Sequence, residues 1–210
     1  EWNETGIGFF LGKLASWGYV VAASQYRGNS GSEGKEEIGG SDVNDVLNLI
    51  PTLNEIENAD TSRIGIEGAS RGGMMTYLAL KKTCAFKAAV VLAGAANAFT
   101  ALKNRPEFEK HVYAKYIPNY NDNKEKELKK RSAVFWADKM CKTTPILLMH
   151  GSSDWRVQAT ESLELVSNLY KYKHPVRFNL FEGADHGIRE FRNEFFSQTK
   201  SFFDYYLRDL

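Results

Sequence analysis

Short apolar runs alternate along the chain with helix-like segments, and Gly, Asp or Pro residues separate them. Five runs are β-rich and apolar at nearly every position, as in strands that are buried on both faces of a sheet. We predict strands at residues 19–24, 64–67, 88–93, 145–150 and 176–181. Helical patterns lie at residues 6–17, 41–53, 71–82, 161–170 and 193–207. This alternation predicts an α/β fold, with a mostly parallel sheet and helices on both faces.

Residues 97–137 interrupt the alternation. The segment is rich in charged and aromatic residues, and it contains Pro106, Pro118 and a turn-forming run at 119–123. We predict an insertion over the carboxyl ends of the strands that acts as a lid or pocket wall. We interpret its charged run at 124–131 as a solvated helix face rather than a binding site.

Length and composition fit one domain spanning residues 1–210, since 43% of the 210 residues are hydrophobic. The formal net charge is +1 and no long block of one sign occurs, so a nucleic-acid or anionic-membrane partner has no electrostatic support. No apolar stretch approaches the roughly 18 residues that span a bilayer, which predicts a soluble chain. The compartment stays open, because a leader could precede Glu1.

The two cysteines, Cys84 and Cys141, are too few and too far apart for a disulfide scaffold, and neither lies in a C-x-x-C spacing. Two separate thiols are therefore the default interpretation. A bridge remains the alternative, because both cysteines lie near the amino-terminal ends of neighbouring predicted strands.

The segment Gly68-Ala69-Ser70-Arg71-Gly72 matches the pattern G-x-S-x-G between a predicted strand and a predicted helix. That context is typical of a nucleophile elbow, a tight turn with a strained serine flanked by glycines because side chains there would collide. We predict Ser70 as the nucleophile and the backbone N–H of Arg71 as one oxyanion donor. The alternative is a glycine-rich helix start with a capping serine.

A nucleophilic serine requires a base, and His186 has the most suitable context among four histidines. It lies in the loop after the last predicted strand, on the rim where sheet-based active sites are built. His150 ends an apolar strand and is assigned a structural role. His174 is predicted to lie in an exposed turn, and His111 falls within the insertion.

Asp154 is the predicted orienting acid, because it follows the strand at 145–150 and lies between the serine and the histidine in sequence. Asp185 is the rival, but its adjacency to His186 would make it hard to fold back on the imidazole. In the resulting mechanism the histidine takes the serine proton, an acyl-enzyme forms and activated water releases the acid. This chemistry needs neither a metal nor a cofactor.

These residues resemble the catalytic domain of the prolyl oligopeptidase family of serine peptidases and related acyl hydrolases, which has the α/β-hydrolase fold. The likeness covers nearly the whole chain and is carried by Tyr26-Arg27-Gly28 with Gly31 and Gly34, the segment from Asp60 to Gly73, His150-Gly151-Ser152-Ser153-Asp154 with Arg156-Val157, and Gly183 with His186-Gly187. It implies the triad roles of Ser70, Asp154 and His186. It also implies that Arg27 braces the site against an acidic residue such as Asp42 or Asp45.

The resemblance further implies a central strand ahead of the helix at 6–17. This strand would lie between the strands at 19–24 and 64–67, and its end loop would supply the second oxyanion donor. We therefore expect an amino-terminally truncated catalytic domain whose first two strands are not direct neighbours.

The function that these residues indicate is hydrolysis of a small peptide or an ester by a serine peptidase or a carboxylesterase. The aromatic insertion makes the esterase reasonable, and we assign Phe99, Trp136 and Trp155 to the substrate pocket. A non-catalytic binding protein on the same scaffold is the alternative of another class. The acyl or side-chain preference and the oligomeric state stay open.

Overall fold

Four parallel strands form the central sheet of the computed structural model, which describes residues 4–208. The strands are β1 (Ile64–Ala69), β2 (Phe86–Leu92), β3 (Ile146–Gly151) and β4 (Val176–Phe181). They lie side by side in chain order, and every neighbouring pair is parallel. All four carboxyl ends therefore meet at one edge of the sheet. The predicted parallel α/β architecture is confirmed.

Helices cover both faces of the sheet. They are α1 (Glu4–Ala15), α2 (Val43–Leu47), α3 (Leu49–Leu53), α4 (Arg71–Lys82), α5 (Ala98–Asn104), α6 (Ala114–Tyr116), α7 (Tyr120–Arg131), α8 (Ala159–Lys171) and α9 (Arg192–Leu207). A π-helical turn lies at Glu109–Tyr113, and 3₁₀ turns lie at Ala133–Phe135, Ala137–Lys139 and Arg189–Phe191.

Alternate residues of the central strands belong to two separate cores. Val91 and Leu148 pack with α4 and α8 on one face, whereas Val90 and Leu147 pack with α9 on the other. Both faces of these strands are therefore buried, which accounts for their continuous apolar sequences.

The strand predicted at residues 19–24 is wrong, because that segment carries no sheet pairing in the structure. It lies across a cleft of about 400 Å³ from β1, so its backbone has no neighbouring edge to bond. Within residues 4–208 no sheet pairing joins residues 19–24 to β1, which is consistent with the expectation that these two segments are not neighbours. Glu67 of β1 lines the same cleft, and burial raises its pKa to about 8.

The helix predicted at residues 41–53 is divided into α2 and α3. Pro51 has no N–H to donate to the carbonyl of Leu47, which accounts for an interruption at Asn48. Asp42 makes no side-chain cap bond to α2. Its carboxylate instead accepts the N–H of Gly39.

The default interpretation of Cys84 and Cys141 as separate thiols is wrong, since the structure joins them in a disulfide with Cα atoms 5.3 Å apart. The cysteines precede β2 and β3, which are adjacent parallel strands, so their amino-terminal ends lie side by side. The bridge that the sequence left as the alternative is therefore the one that the structure contains.

Residues 97–137 fold into α5 to α7 and the turns between them. The side chain of Glu161 in α8 accepts the N–H groups of Ala96 (3.0 Å) and Asn97 (2.8 Å) at the start of this segment. The charged run at 124–131 is not wholly solvated, because Arg131 is buried and donates to the carbonyl of Ile38 at 2.6 Å. No helix within residues 4–208 is long and apolar enough to cross a membrane.

Candidate active site

Ser70 lies at the tip of a sharp turn between β1 and α4. Its backbone has φ 55° and ψ −117°, a left-handed φ that a residue with a side chain seldom adopts. Two bonds anchor this conformation, since the Ser70 N–H donates to Leu92 (2.9 Å) and the Ala95 N–H donates to the Ser70 carbonyl (3.2 Å). The side chain makes no cap bond to α4, so the helix-cap alternative is wrong.

Two of the glycines around Ser70 permit close contact of the backbone. A Cβ on Gly68 would collide with the carbonyl of Gly72, and a Cβ on Gly73 would lie 2.5 Å from the Cα of Gly94. A Cβ on Gly72 would meet nothing within 4 Å outside its own helix backbone and chain neighbours. The expected collision therefore applies to Gly68 and Gly73, but not to Gly72.

This difference predicts unequal effects of two neighbouring substitutions. We expect Gly73→Ala to lower the free energy of unfolding by about 1–3 kcal/mol through overpacking. We expect Gly72→Ala to change it by less than about 1 kcal/mol, since alanine also favours a helix. Urea unfolding at one pH measures both changes. Equal losses would show that the close contact with Gly94 does not constrain the elbow.

His186 and Asp154 meet across the loops that follow β4 and β3. His186 Nδ1 lies 2.6 Å from Asp154 Oδ2. The loops are joined by the Ser153 N–H, which donates to the carbonyl of Ala184 at 2.9 Å. Gly151 lets them approach, because a Cβ there would collide with the Ala184 carbonyl. The carboxylate accepts only, so Nδ1 carries the proton and the Nε2 of a neutral imidazole is left as a base.

The carboxylate of Asp154 is fully buried and accepts four hydrogen bonds. Oδ1 accepts the backbone N–H groups of Arg156 (2.8 Å) and Val157 (3.0 Å). Oδ2 accepts from His186 and from His150 Nε2, which lies 3.1 Å away. Burial opposes ionisation, but these donors hold the pKa of Asp154 well below its usual range.

The sequence predicts a structural role for His150 and no contact with Asp154. The structure buries its side chain completely and places it in contact with that carboxylate. The signal in the sequence is the H-G-x-x-D spacing across the end of β3, which brings residues 150 and 154 together over a turn. The prediction of an exposed turn at His174 is wrong, because this ring is buried and its Nε2 lies 3.0 Å from the Cys141 carbonyl.

Arg71 begins α4 directly after Ser70, so its N–H lies in the first turn and has no intrahelical acceptor. Its guanidinium pairs with Glu36 and with Asp42, the latter at 3.2 Å, and lies over the ring of Tyr26 at 5.0 Å. These contacts direct the side chain toward the loop that follows residues 19–24.

Arg27 pairs with Asp45, one of the two acidic residues proposed from sequence, through contacts as short as 2.6 Å. Its backbone N–H also donates to the same carboxylate at 2.8 Å. The side-chain hydrogen bond from Arg27 lowers the pKa of Asp45. Asp42, the other candidate, contacts Arg71 instead.

The three aromatic residues assigned to a pocket lie in different environments. Phe99 packs edge-on against Phe135, with ring centroids 5.5 Å apart. Trp155 follows Asp154 and is 66% exposed. Trp136 is buried beneath the ammonium of Lys81. Since Lys81 lies near the far end of α4, about 16 Å along the helix from Ser70, Trp136 is remote from the elbow.

No group of three or more His, Cys, Asp or Glu side chains suited to a metal ion occurs in the described part of the chain. At the carboxyl edge of the sheet, the Ser70 hydroxyl follows β1, the Asp154 carboxylate follows β3 and the His186 imidazole follows β4.

Comparisons with known proteins identify the family to which the chain is similar. The sequence profile of the prolyl oligopeptidase family matches residues 10–210. Dipeptidyl peptidase family member 6 of Caenorhabditis elegans is 29% identical over 192 residues, which are 86% of this chain and 26% of that protein. The uncharacterized peptidase YtmA of Bacillus subtilis is 29% identical over 78% of this chain and 63% of its own length.

The chain is also similar to solved structures of peptidases. The acylaminoacyl peptidase of Pyrococcus horikoshii superposes with a TM-score of 0.72 at 29% identity, over 82% of this chain and 28% of that chain. A puromycin-hydrolyzing peptidase of Mycobacterium tuberculosis superposes with a TM-score of 0.73 at 27% identity, over 82% and 26%. The chain thus spans about a quarter of the length of most of these relatives.

Proposed function

The chain belongs to the prolyl oligopeptidase family, and we propose that it cleaves peptide bonds through an acyl-enzyme formed on Ser70. The observation that carries the proposal is the 2.6 Å contact between His186 Nδ1 and Asp154 Oδ2, on the sheet edge where the Ser70 elbow also lies. This contact leaves an imidazole nitrogen free to act as a base. The strained backbone at the elbow indicates a functional serine.

In this proposal His186 Nε2 removes the proton from the Ser70 hydroxyl as the oxygen attacks the carbonyl carbon of the substrate. Asp154 fixes the Nδ1–H tautomer and stabilises the imidazolium that forms. The N–H of Arg71 donates to the developing oxyanion. The imidazolium then protonates the leaving amine, and the acyl group remains on the serine.

Deacylation repeats these roles with water as the nucleophile. His186 accepts a proton from water, and the resulting hydroxide attacks the acyl carbonyl. The imidazolium returns the proton to the Ser70 oxygen as the carboxylic acid departs. Every proton in this cycle passes through His186, so the residues of this chain supply both acid and base catalysis.

The names of the relatives favour amide substrates over esters. They include a dipeptidyl peptidase, a dipeptidyl aminopeptidase and an acylaminoacyl peptidase, and each of these names describes a peptidase. Glu36 and Asp42 lie near the elbow, but both are paired with Arg71. We propose short peptides as substrates, and a carboxylesterase on the same residues is the second outcome that the test distinguishes.

The test combines labelling with a substrate panel. A biotinylated aryl phosphonate should attach to the peptide that contains Ser70 and not to the exposed Ser153, which serves as the internal control. The panel contains free and N-acetylated aminoacyl anilides beside aryl esters of the same acids. Anilide turnover that is blocked by the phosphonate supports a peptidase. Turnover of esters alone would identify an esterase, and an unlabelled Ser70 would refute the proposed nucleophile.

A further inference from the structure

We propose that His150 is a positioning residue of this active site, which holds the Asp154 carboxylate in the orientation that His186 requires. The inference rests on the proposed function. In this arrangement Asp154 contacts two imidazoles, because His150 binds its carboxylate in addition to His186. Ser162 in turn contacts the His150 ring.

The protonation of His150 follows from its neighbours. Nε2 lies 2.9 Å from the Val157 carbonyl and 3.1 Å from Asp154 Oδ2, and both atoms are acceptors. Nε2 therefore carries a proton and donates to them. On the other side of the ring, Nδ1 lies 2.7 Å from the hydroxyl of Ser162 in α8. Since the ring and Ser162 are both buried, these contacts fix its orientation.

The need for such a donor follows from how Asp154 is held. Two backbone N–H groups fix Oδ1, whereas His186 is the other donor to Oδ2. The side chain of His186 is 17% exposed and lies on a loop, and in the proposed mechanism its imidazole exchanges protons in turn with the Ser70 oxygen, the leaving amine and water. A donor on the fully buried β3 strand keeps Oδ2 in place while His186 moves.

Two substitutions of similar size separate positioning from packing. The amide nitrogen of glutamine reaches the position of imidazole Nε2, so His150→Gln preserves the donor to Asp154. His150→Asn places its amide near Nδ1, where it contacts Ser162 and leaves Oδ2 without this donor. We expect His150→Asn to lower kcat about 10- to 100-fold with KM within about twofold, and His150→Gln to retain kcat within about threefold.

A spectroscopic measurement tests the same idea without turnover. The Nδ1 proton of His186 should give a far-downfield ¹H resonance, assigned by its loss in Asp154→Asn. We expect this resonance to persist in His150→Gln and to broaden through exchange with water in His150→Asn. If Ser70 proved not to be the nucleophile, the proposed function would fail, yet this resonance would still show whether His150 holds the carboxylate.

A double-mutant cycle completes the test. If His150 acts through Asp154, His150→Asn should cause no further loss of kcat in the Asp154→Asn background. Additive losses would overturn the inference, as would equal kcat in the two His150 variants or an unchanged resonance in His150→Asn. Should His150→Asn fail to fold, Ser162→Ala is measured instead, because it frees the ring at Nδ1. A broadened resonance there supports the inference, and an unchanged one overturns it.

Discussion

Replacing Ser70 with alanine should lower kcat about a million-fold, the scale on which loss of a triad nucleophile acts. The reason is that no acyl-enzyme can form without the hydroxyl, and His186 then has no proton to remove. The fold should be retained, because the Ser70 side chain makes no cap bond to α4. Single-turnover kinetics with an activated acyl substrate measure the loss, with circular dichroism to establish folding.

A second variant at the same position tests the strain at the elbow. Ser70 has φ 55°, and an alanine keeps the steric cost of that backbone whereas a glycine removes it. We expect Ser70→Gly to be as inactive as Ser70→Ala, but more stable than it by about 1 kcal/mol. Urea unfolding of the two proteins gives this difference.

Either of two results would contradict this account. Turnover within about tenfold of the unmodified protein in Ser70→Ala would mean that another group attacks the substrate. Equal stability of the alanine and glycine variants would mean that the elbow stores no backbone strain. The turnover of Ser70→Ala tests the mechanism, and the difference in stability between the two variants tests the strain in the fold.

The strands β1 to β4 could be predicted to within one or two residues because each depends on a local signal. A run such as 146–150 is apolar at nearly every position, since side chains on both faces of the sheet are buried. The segment at 19–24 has the same composition and still forms no strand. Composition makes a segment suitable for a sheet, but pairing also requires the free edge of a neighbouring strand. The cleft beside β1 lies between residues 19–24 and the edge of that strand.

The candidate site also contains features that the sequence predicts and features that it does not. Ser70, Asp154 and His186 could be proposed from loops that follow apolar runs, because the carboxyl ends of parallel strands share one edge. The bond from His150 to Asp154 depends on side-chain direction, which the pattern does not encode. The burial of Trp136 depends likewise on the path of the turns at 133–139 over α4.

Asp154→Asn should lower kcat about 10⁴-fold while leaving Ser70 in place. The N–H groups of Arg156 and Val157 donate to Oδ1, so the carbonyl oxygen of asparagine must occupy that side. Its amide NH₂ then faces His186 Nδ1 and donates to it. This reverses the tautomer and moves the imidazole proton to Nε2, where it faces the serine hydroxyl. The base is present in the variant but is already protonated at the nitrogen that must act.

Asp185→Asn is the matched control, because Asp185 is the rival carboxylate beside His186. Its side chain is exposed and Oδ1 accepts the Gly187 N–H at 2.8 Å, a bond that an asparagine carbonyl also accepts. We expect kcat within about threefold of the unmodified protein, because asparagine keeps the bond to Gly187 and surface substitutions usually change the free energy of unfolding by no more than about 0.5 kcal/mol. Comparison of kcat in the two variants decides between the carboxylates. If Asp185→Asn caused the larger loss, Asp185 would be the orienting acid and the 2.6 Å contact of Asp154 would serve the fold alone.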